Sequence, residues 1–189
     1  DILYSTDFSN KQILTSSLYN LNNEEHLFNW QDKNESVVIT SDKIKKYVVE
    51  LFGNIEYIDV DIPDSCFSEG DGIYNSKEIT YTFKKEGGCG GMAFPFINSK
   101  IEKIEKKSNQ LEITEKIAYI EFDTNSTDYH LIYNNPIDMT LVGKESSNAL
   151  SENIDIVKKY SDKLTSYKYT FQYDAEHDNY YFQKIEKIK

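Results

Sequence analysis

The hydrophobic period of this chain changes near residue 53, and that change excludes most architectures. Before it, Leu14, Leu18 and Leu21 fall at helical spacing, and Ile44, Val48, Leu51 and Phe52 form an apolar stripe. The stripe is bounded by Ser41, read as an N-cap, and by Gly53 at the position that ends a helix. "SVVI" at 36–39 reads as a short extended piece. After residue 53 the period moves towards two, at Ile58, Val60 and Ile62, at Ile79, Tyr81 and Phe83, at Ile113, Ile117 and Tyr119, and at Tyr129, Leu131 and Tyr133. Turns fall at 87–91, 106–110 and 123–128, and 134–148 reads as a longer connection. The pattern predicts one more helix near 151–163, and then a closing hairpin, Tyr167–Tyr173 and Tyr180–Ile188.

Helices first and then antiparallel strands give an α+β fold, a curved antiparallel sheet packed on one or more helices, with N-terminal helices. No βαβ alternation is present, which argues against a doubly wound nucleotide-binding fold. The expected organisation is a tether-like segment over 1–10 and a single α+β domain over 11–189. Its mainly helical part is 11–53, and its mainly sheet part is 54–189 with the helix near 151–163.

Charge excludes a class of partner. The chain carries a net charge of −11, and all 21 of its strongly basic residues are lysines. A nucleic-acid binder needs a basic face and usually the forked guanidinium, so nucleic acid is not expected as a partner. Apolar runs are too short for a transmembrane segment. The opening "DILYSTDFSN" has no initiator Met and no apolar leader, which predicts a leader removed and a protein exported to an extracytoplasmic place, secreted or lipid-anchored at a bacterial cell surface.

The stretch most suggestive of chemistry is "EGGCGGMAFPF" at 86–96. A phosphate loop would continue into Lys-Ser/Thr and a helix; this one runs into strand-like residues. A nucleophilic Cys89 would need a partner such as histidine, and His26, His130 and His177 are all distant in sequence. The favoured reading is a structural disulfide between Cys66 and Cys89, the two cysteines of the chain. Such a closure contributes roughly 3 kcal/mol in the chain-entropy model.

"DAEHDN" at 174–179 places Asp174, Glu176 and Asp178 at alternate positions, as a calcium loop does, but lacks the later glycine and glutamate and reads as a hairpin tip. No histidine pair has metal-ligand spacing, and His130, between Tyr129 and Leu131, is expected to be an exposed strand residue. Serine hydrolase signatures are absent. No catalytic, cofactor-binding or metal-binding residue is therefore assigned, and no cofactor is implied. The 15 tyrosines could serve as a platform for sugars or a protein partner, although half-buried strands favour them in any case.

The closing stretch "YKYTFQYDAEHDNYYFQKIEKIK" resembles the C-terminal hairpin of uncharacterised exported proteins and lipoproteins of low-GC Gram-positive bacteria. The segment "GGMAFPFINSKIEKIEKKSNQLEI" is similar to an internal hairpin of the same proteins, so the resemblance covers roughly 79–189. It implies an NTF2-like or cystatin-like fold and an extracytoplasmic location, and it brings no active-site residue. Together these features predict an exported, non-enzymatic binding or interaction module, with an unknown small molecule or protein at the cell surface as its partner. The alternative is a small extracytoplasmic enzyme that uses a pocket on the concave sheet face.

Overall fold

The computed structural model describes residues 2–26, 36–61, 73–84, 96–126, 128–148 and 154–188. Cys66 and Cys89, the glycine loop that holds Cys89 and the expected strand end at Ile62 lie outside the described residues. The chain is α+β; its described residues form a mostly antiparallel seven-stranded sheet and a separate three-stranded sheet. It groups into two compact units, residues 4–91 with 173–183, and residues 1–3 with 92–172 and 184–189.

In the unit built on 4–91, helix α1 (Asn10–Glu25) starts at Ser9, whose side chain and that of Gln12 cap each other's backbone N–H groups. It ends at His26, which takes the left-handed conformation at φ 53° and donates its N–H to the Asn22 carbonyl. Leu14, Leu18 and Leu21 are all fully buried, as their spacing predicts. Strand β2 (Ser36–Thr40) leads directly into helix α2 (Ser41–Phe52). The cap of α2 is Thr40 and not Ser41: the Thr40 hydroxyl accepts from the Lys43 N–H, which frees the Ser41 hydroxyl for the partner described below. Gly53 closes the helix at φ 70°, and an added Cβ there would meet the Tyr181 ring at 2.8 Å, so glycine is required twice over.

Strands β3 (Ile73–Asn75) and β4 (Thr80–Lys84) complete the small sheet, in the order β2-β4-β3. Tyr81 and Phe83 are fully buried from β4 against Leu14, Leu18, Ile39, Ile44, Val48 and Phe52. Each such side chain contributes on the order of 2 kcal/mol by burial. Residues 54–61, expected as a strand from Ile58, Val60 and Ile62, form none; Ile58 is 61% exposed and the segment is held by side-chain bonds.

In the other unit the sheet order is β1-β10-β9-β6-β7-β8, with β5 on the opposite side of β6. The strands are β1 (Ile2–Tyr4), β5 (Phe96–Lys107), β6 (Gln110–Phe122), β7 (Tyr129–Tyr133), β8 (Leu141–Ser146), β9 (Thr165–Asp174) and β10 (Asn179–Lys187). The first residues, read as an irregular tether, thus include a strand, followed by a 3₁₀ turn at Ser5–Asp7. Strand β8 lies inside the stretch expected as a connection. The helix expected near 151–163 is, among the described residues, the single turn α3 (Ile156–Lys159) and a 3₁₀ turn at Ser161–Lys163. Ile156, Val157 and Leu164 cover Ala118, Ile120 and Ile132 on one face of the sheet. The phase of β7 is the reverse of the one expected: Ile132 and His130 point into the core, while Tyr129 is 41% exposed.

Candidate functional site

Three places bring polar or aromatic side chains together, and their chemistry differs. The first is centred on Asp59. Ser41 and Lys45 stand one turn apart on α2, and the 54–61 segment lays the Asp59 carboxylate across both. The Ser41 hydroxyl donates to it at 2.7 and 2.8 Å, Lys45 Nζ lies 2.9 Å away, the Tyr81 hydroxyl donates at 2.8 Å and the Tyr74 hydroxyl at 3.3 Å. Tyr57 and Tyr81 share a further hydrogen bond at 3.1 Å. Burial pushes the Asp59 carboxyl up, but the hydrogen bonds from Ser41, Lys45 and Tyr81, with the Lys45 charge, outweigh it and hold the group below its ordinary value. Burial pushes the Tyr57 phenol up to about 12. Ser41 and Tyr81 are fully buried, so no substrate reaches them. This cluster is an internal lock on unit architecture.

Beside the lock, α2 and the tip of the β9–β10 hairpin line an open groove of about 640 Å³. The tip is the "DAEHDN" turn. Its carboxylates are taken up locally: Asp174 accepts from the Glu176 N–H at 2.9 Å and pairs with His177 Nδ1 at 2.7 Å, and Asp178 accepts from the Tyr173 hydroxyl at 2.6 Å. The bond to Asp174 raises the His177 imidazole above its usual value. Among the described residues no group of three or more His, Cys, Asp or Glu is placed to hold a metal ion.

The second place is His130, which is buried at 6% exposure against Phe122, with ring centroids 4.1 Å apart, and not exposed as its strand pattern suggested. The reason is the reversed phase of β7, which sends Tyr129, Leu131 and Tyr133 to the other face. His130 Nδ1 sits 3.3 Å from the Ser147 hydroxyl, and burial lowers the imidazole pKa. Its cross-strand partner Glu145 is occupied elsewhere, accepting from the Tyr160 hydroxyl and pairing with Lys159, each at 2.5 Å. Burial pushes Glu145 up, and Lys159 and Tyr160 bring it below its ordinary value. His130 and Ser147 thus meet while the nearest cross-strand acid is engaged in a different pairing.

The third place is the sheet face opposite α3. Leu141 on β8 faces Tyr133 on β7, Tyr133 faces Tyr119 on β6, and Tyr119 faces Ile97 on β5. Directly opposed residues share a face, so these four form one row across four strands. The Tyr119 and Tyr133 rings lie 6.3 Å apart, and Leu141 and Ile97 are each 56% exposed. The row continues along β5 through Ile101 and Ile104, at 54% and 60% exposure. At its other end a rigid turn presents Ile137 at 78% exposure. That turn is built by the fully buried Asn135, which accepts from the N–H groups of Ile137 and Asp138 and donates to Thr165 Oγ1.

Two tyrosines of this face belong to the set singled out from the sequence as a potential platform; the isoleucines do not. In "KIEKIEK" the isoleucines are three apart, so a regular strand would divide them between two faces; the bulge in β5 puts Ile101 and Ile104 on one face, where they stand exposed. The chain matches no protein-family model, no curated protein and no solved structure.

Proposed function

We propose that this chain is an exported, non-enzymatic interaction module that binds a protein partner at the cell surface through the open sheet face. The observation that carries the reading is the row Leu141–Tyr133–Tyr119–Ile97, extended by Ile101 and Ile104, because contiguous exposed apolar surface of this kind marks interaction sites. Half-buried tyrosines flanked by aliphatic side chains are typical of the anchors that dominate protein interfaces. The acidic net charge and the resemblance of 79–189 to exported Gram-positive proteins support the location. The long antiparallel pair β5 and β6, bulged near its middle, is consistent with an NTF2-like or cystatin-like sheet.

The competing reading, a small extracytoplasmic enzyme, would be favoured by a carboxyl of raised pKa facing a cavity. Among the described residues Asp59, Asp123 and Glu145 are well-shielded carboxylates, and each is held below its ordinary value by hydrogen bonds and lysines that outweigh burial. They are arranged for ion pairing and not for proton transfer at neutral pH.

The test is a photo-cross-linking amino acid at Ile97, compared with one at Val38, which is 60% exposed on the other unit. Cross-linking on intact cell surfaces should give a discrete adduct from position 97 and none from position 38. Affinity for the purified adduct partner should then fall at least about tenfold in L141D, which puts a carboxylate in place of an apolar contact of the row. Equal adducts from both positions, or an affinity indifferent to L141D, would remove the sheet face from the proposal.

A further inference from the structure

We propose that two copies of this chain associate through the outer edge of β5, antiparallel about a two-fold axis, with Ile101 of each copy opposite Ile104 of the other. Strand β5 is twelve residues long and pairs with β6 and with no other described strand. Its outer edge therefore presents backbone donors and acceptors along roughly 40 Å. Open edges of this length beside exposed isoleucines invite pairing with another chain, and lysines usually serve to discourage it. Here the charges select one register.

The selection depends on the bulge. Between Ile101 and Lys103 the strand carries one residue more than β6, so Ile101 lies opposite Glu115 and Ile104 opposite Ile113. Residues three apart in sequence, Ile101 and Ile104, are thereby placed on one face, where a regular strand would send them to opposite faces. Lys100 and Glu105, opposite Lys116 and Glu112, share the other face. A two-fold antiparallel pair that sets Ile101 against Ile104 necessarily sets Lys100 against Glu105 and Glu102 against Lys103, and symmetry repeats each contact. Slipping by one position brings Glu102 onto Glu102 in one direction and Lys103 onto Lys103 in the other. Like charges directly opposite one another destabilise a ladder. Faces and charges agree in the same register, and without the bulge they would not.

Within one copy Lys100 pairs with Asp155 at 3.1 Å and Lys103 with Glu105 at 2.9 Å, both solvent-exposed and weak, so neither competes strongly with a second copy. Glu102 is already engaged by the buried Lys116 at 3.0 Å, so the Lys100–Glu105 contacts carry the electrostatic attraction between copies. An edge contact of this size lies at the small end of specific interfaces, below about 1,200 Å². The association is therefore expected to be reversible, with a dissociation constant on the order of micromolar or weaker. This pairing uses the strand edge and shares Ile101 and Ile104 with the sheet face proposed above; its test reads self-association of the chain alone, without that partner.

The experiment is sedimentation equilibrium of the 189-residue chain under reducing conditions, across protein concentration, with circular dichroism to confirm folding. Wild type should show a reversible monomer–dimer equilibrium. K100E places glutamate against Glu105 and E105K places lysine against Lys100; each alone should weaken association at least about tenfold, from two symmetry-related repulsions. An equimolar mixture of K100E and E105K should restore it, because every Lys100–Glu105 contact in the mixed dimer is again between opposite charges. The double variant K100E/E105K should recover for the same reason, which guards against a single variant that merely folds poorly. Monomer at every concentration overturns the proposal. So does a dimer that K100E and I104K leave unchanged, or one that mixing fails to restore.

Discussion

Replacing Asp59 by alanine is the sharpest test of how the 4–91 unit holds together. The Asp59 carboxylate receives hydrogen bonds from Ser41 and Tyr81, whose residues are fully buried, and an ion pair from Lys45, whose side chain is 44% exposed. In D59A the lysine turns to solvent at little cost, since an exposed ion pair is worth at most about 1 kcal/mol. The Ser41 hydroxyl is left without its acceptor, which costs roughly 1–3 kcal/mol. Tyr81 keeps its contact with the Tyr57 hydroxyl at 3.1 Å, so its loss falls at the lower end of that range. The sum is about 2–4 kcal/mol, from stranded donors and not from lost charge attraction. Urea unfolding followed by circular dichroism, with hydrogen exchange of the α2 amides as the local readout, measures it. D59N should cost less than D59A, and K45A less than D59A, because Ser41 and Tyr81 still donate to the carboxylate when the lysine is gone. If K45A costs as much as D59A, or D59A costs under about 1 kcal/mol, the carboxylate is not the centre of the lock and the reasoning fails.

Four further outcomes follow from the geometry. Burial keeps His130 neutral with a folded pKa below its ordinary value; its contribution is complete above about pH 6.5, and stability falls as pH drops below that towards the folded pKa. H130F should abolish that part of the pH dependence of the melting temperature. A Cβ on Gly143 would lie 2.3 Å from the Tyr160 ring, whose hydroxyl holds Glu145, so G143A should destabilise by about 1–3 kcal/mol or more in a urea titration. Ile79 has φ 55° while 50% exposed, so I79G should raise stability by roughly 1 kcal/mol, by relief of a β-branched residue in the left-handed region. Protein made in an oxidising compartment, denatured unreduced and alkylated, should gain no alkyl groups at monomer mass if Cys66 and Cys89 are paired; two added groups would refute the bridge.

Those residues also mark what the sequence could convey. Helix α2 was legible because Ile44, Val48 and Phe52 keep strict spacing up to a required glycine, and the β9–β10 hairpin because its strands flank an Asp/Asn-rich turn. Strand β8 was hidden by Gly143, a poor strand former whose role is to admit Tyr160. The phase of β7 was ambiguous, since "YHLIY" offers an alternating set on each side, and only the packing of α3 on Ile132 decides between them. The 54–61 stretch alternates like a strand but is fixed by Asp59, a long-range bond that no local pattern announces. The candidate surface was half visible: tyrosines could be suspected, but exposure of Ile97, Ile101 and Ile104 depends on β5 lying at an edge.

The extra residue in β5 bears on which length changes the chain can tolerate. A one-residue deletion within a strand ordinarily reverses every side chain beyond it. Removing Glu102 would instead return β5 to one-to-one pairing with β6, and Ile101 and Ile104 would keep their faces. What such a deletion takes away is electrostatic. Lys116 is buried at 7% exposure directly opposite Lys100, and Glu102 supplies its counter-charge at 3.0 Å. Backbone geometry would permit this shortening, and the uncompensated ammonium would oppose it. The extra glutamate thus has an electrostatic role, at a position where strand pairing alone would not require it.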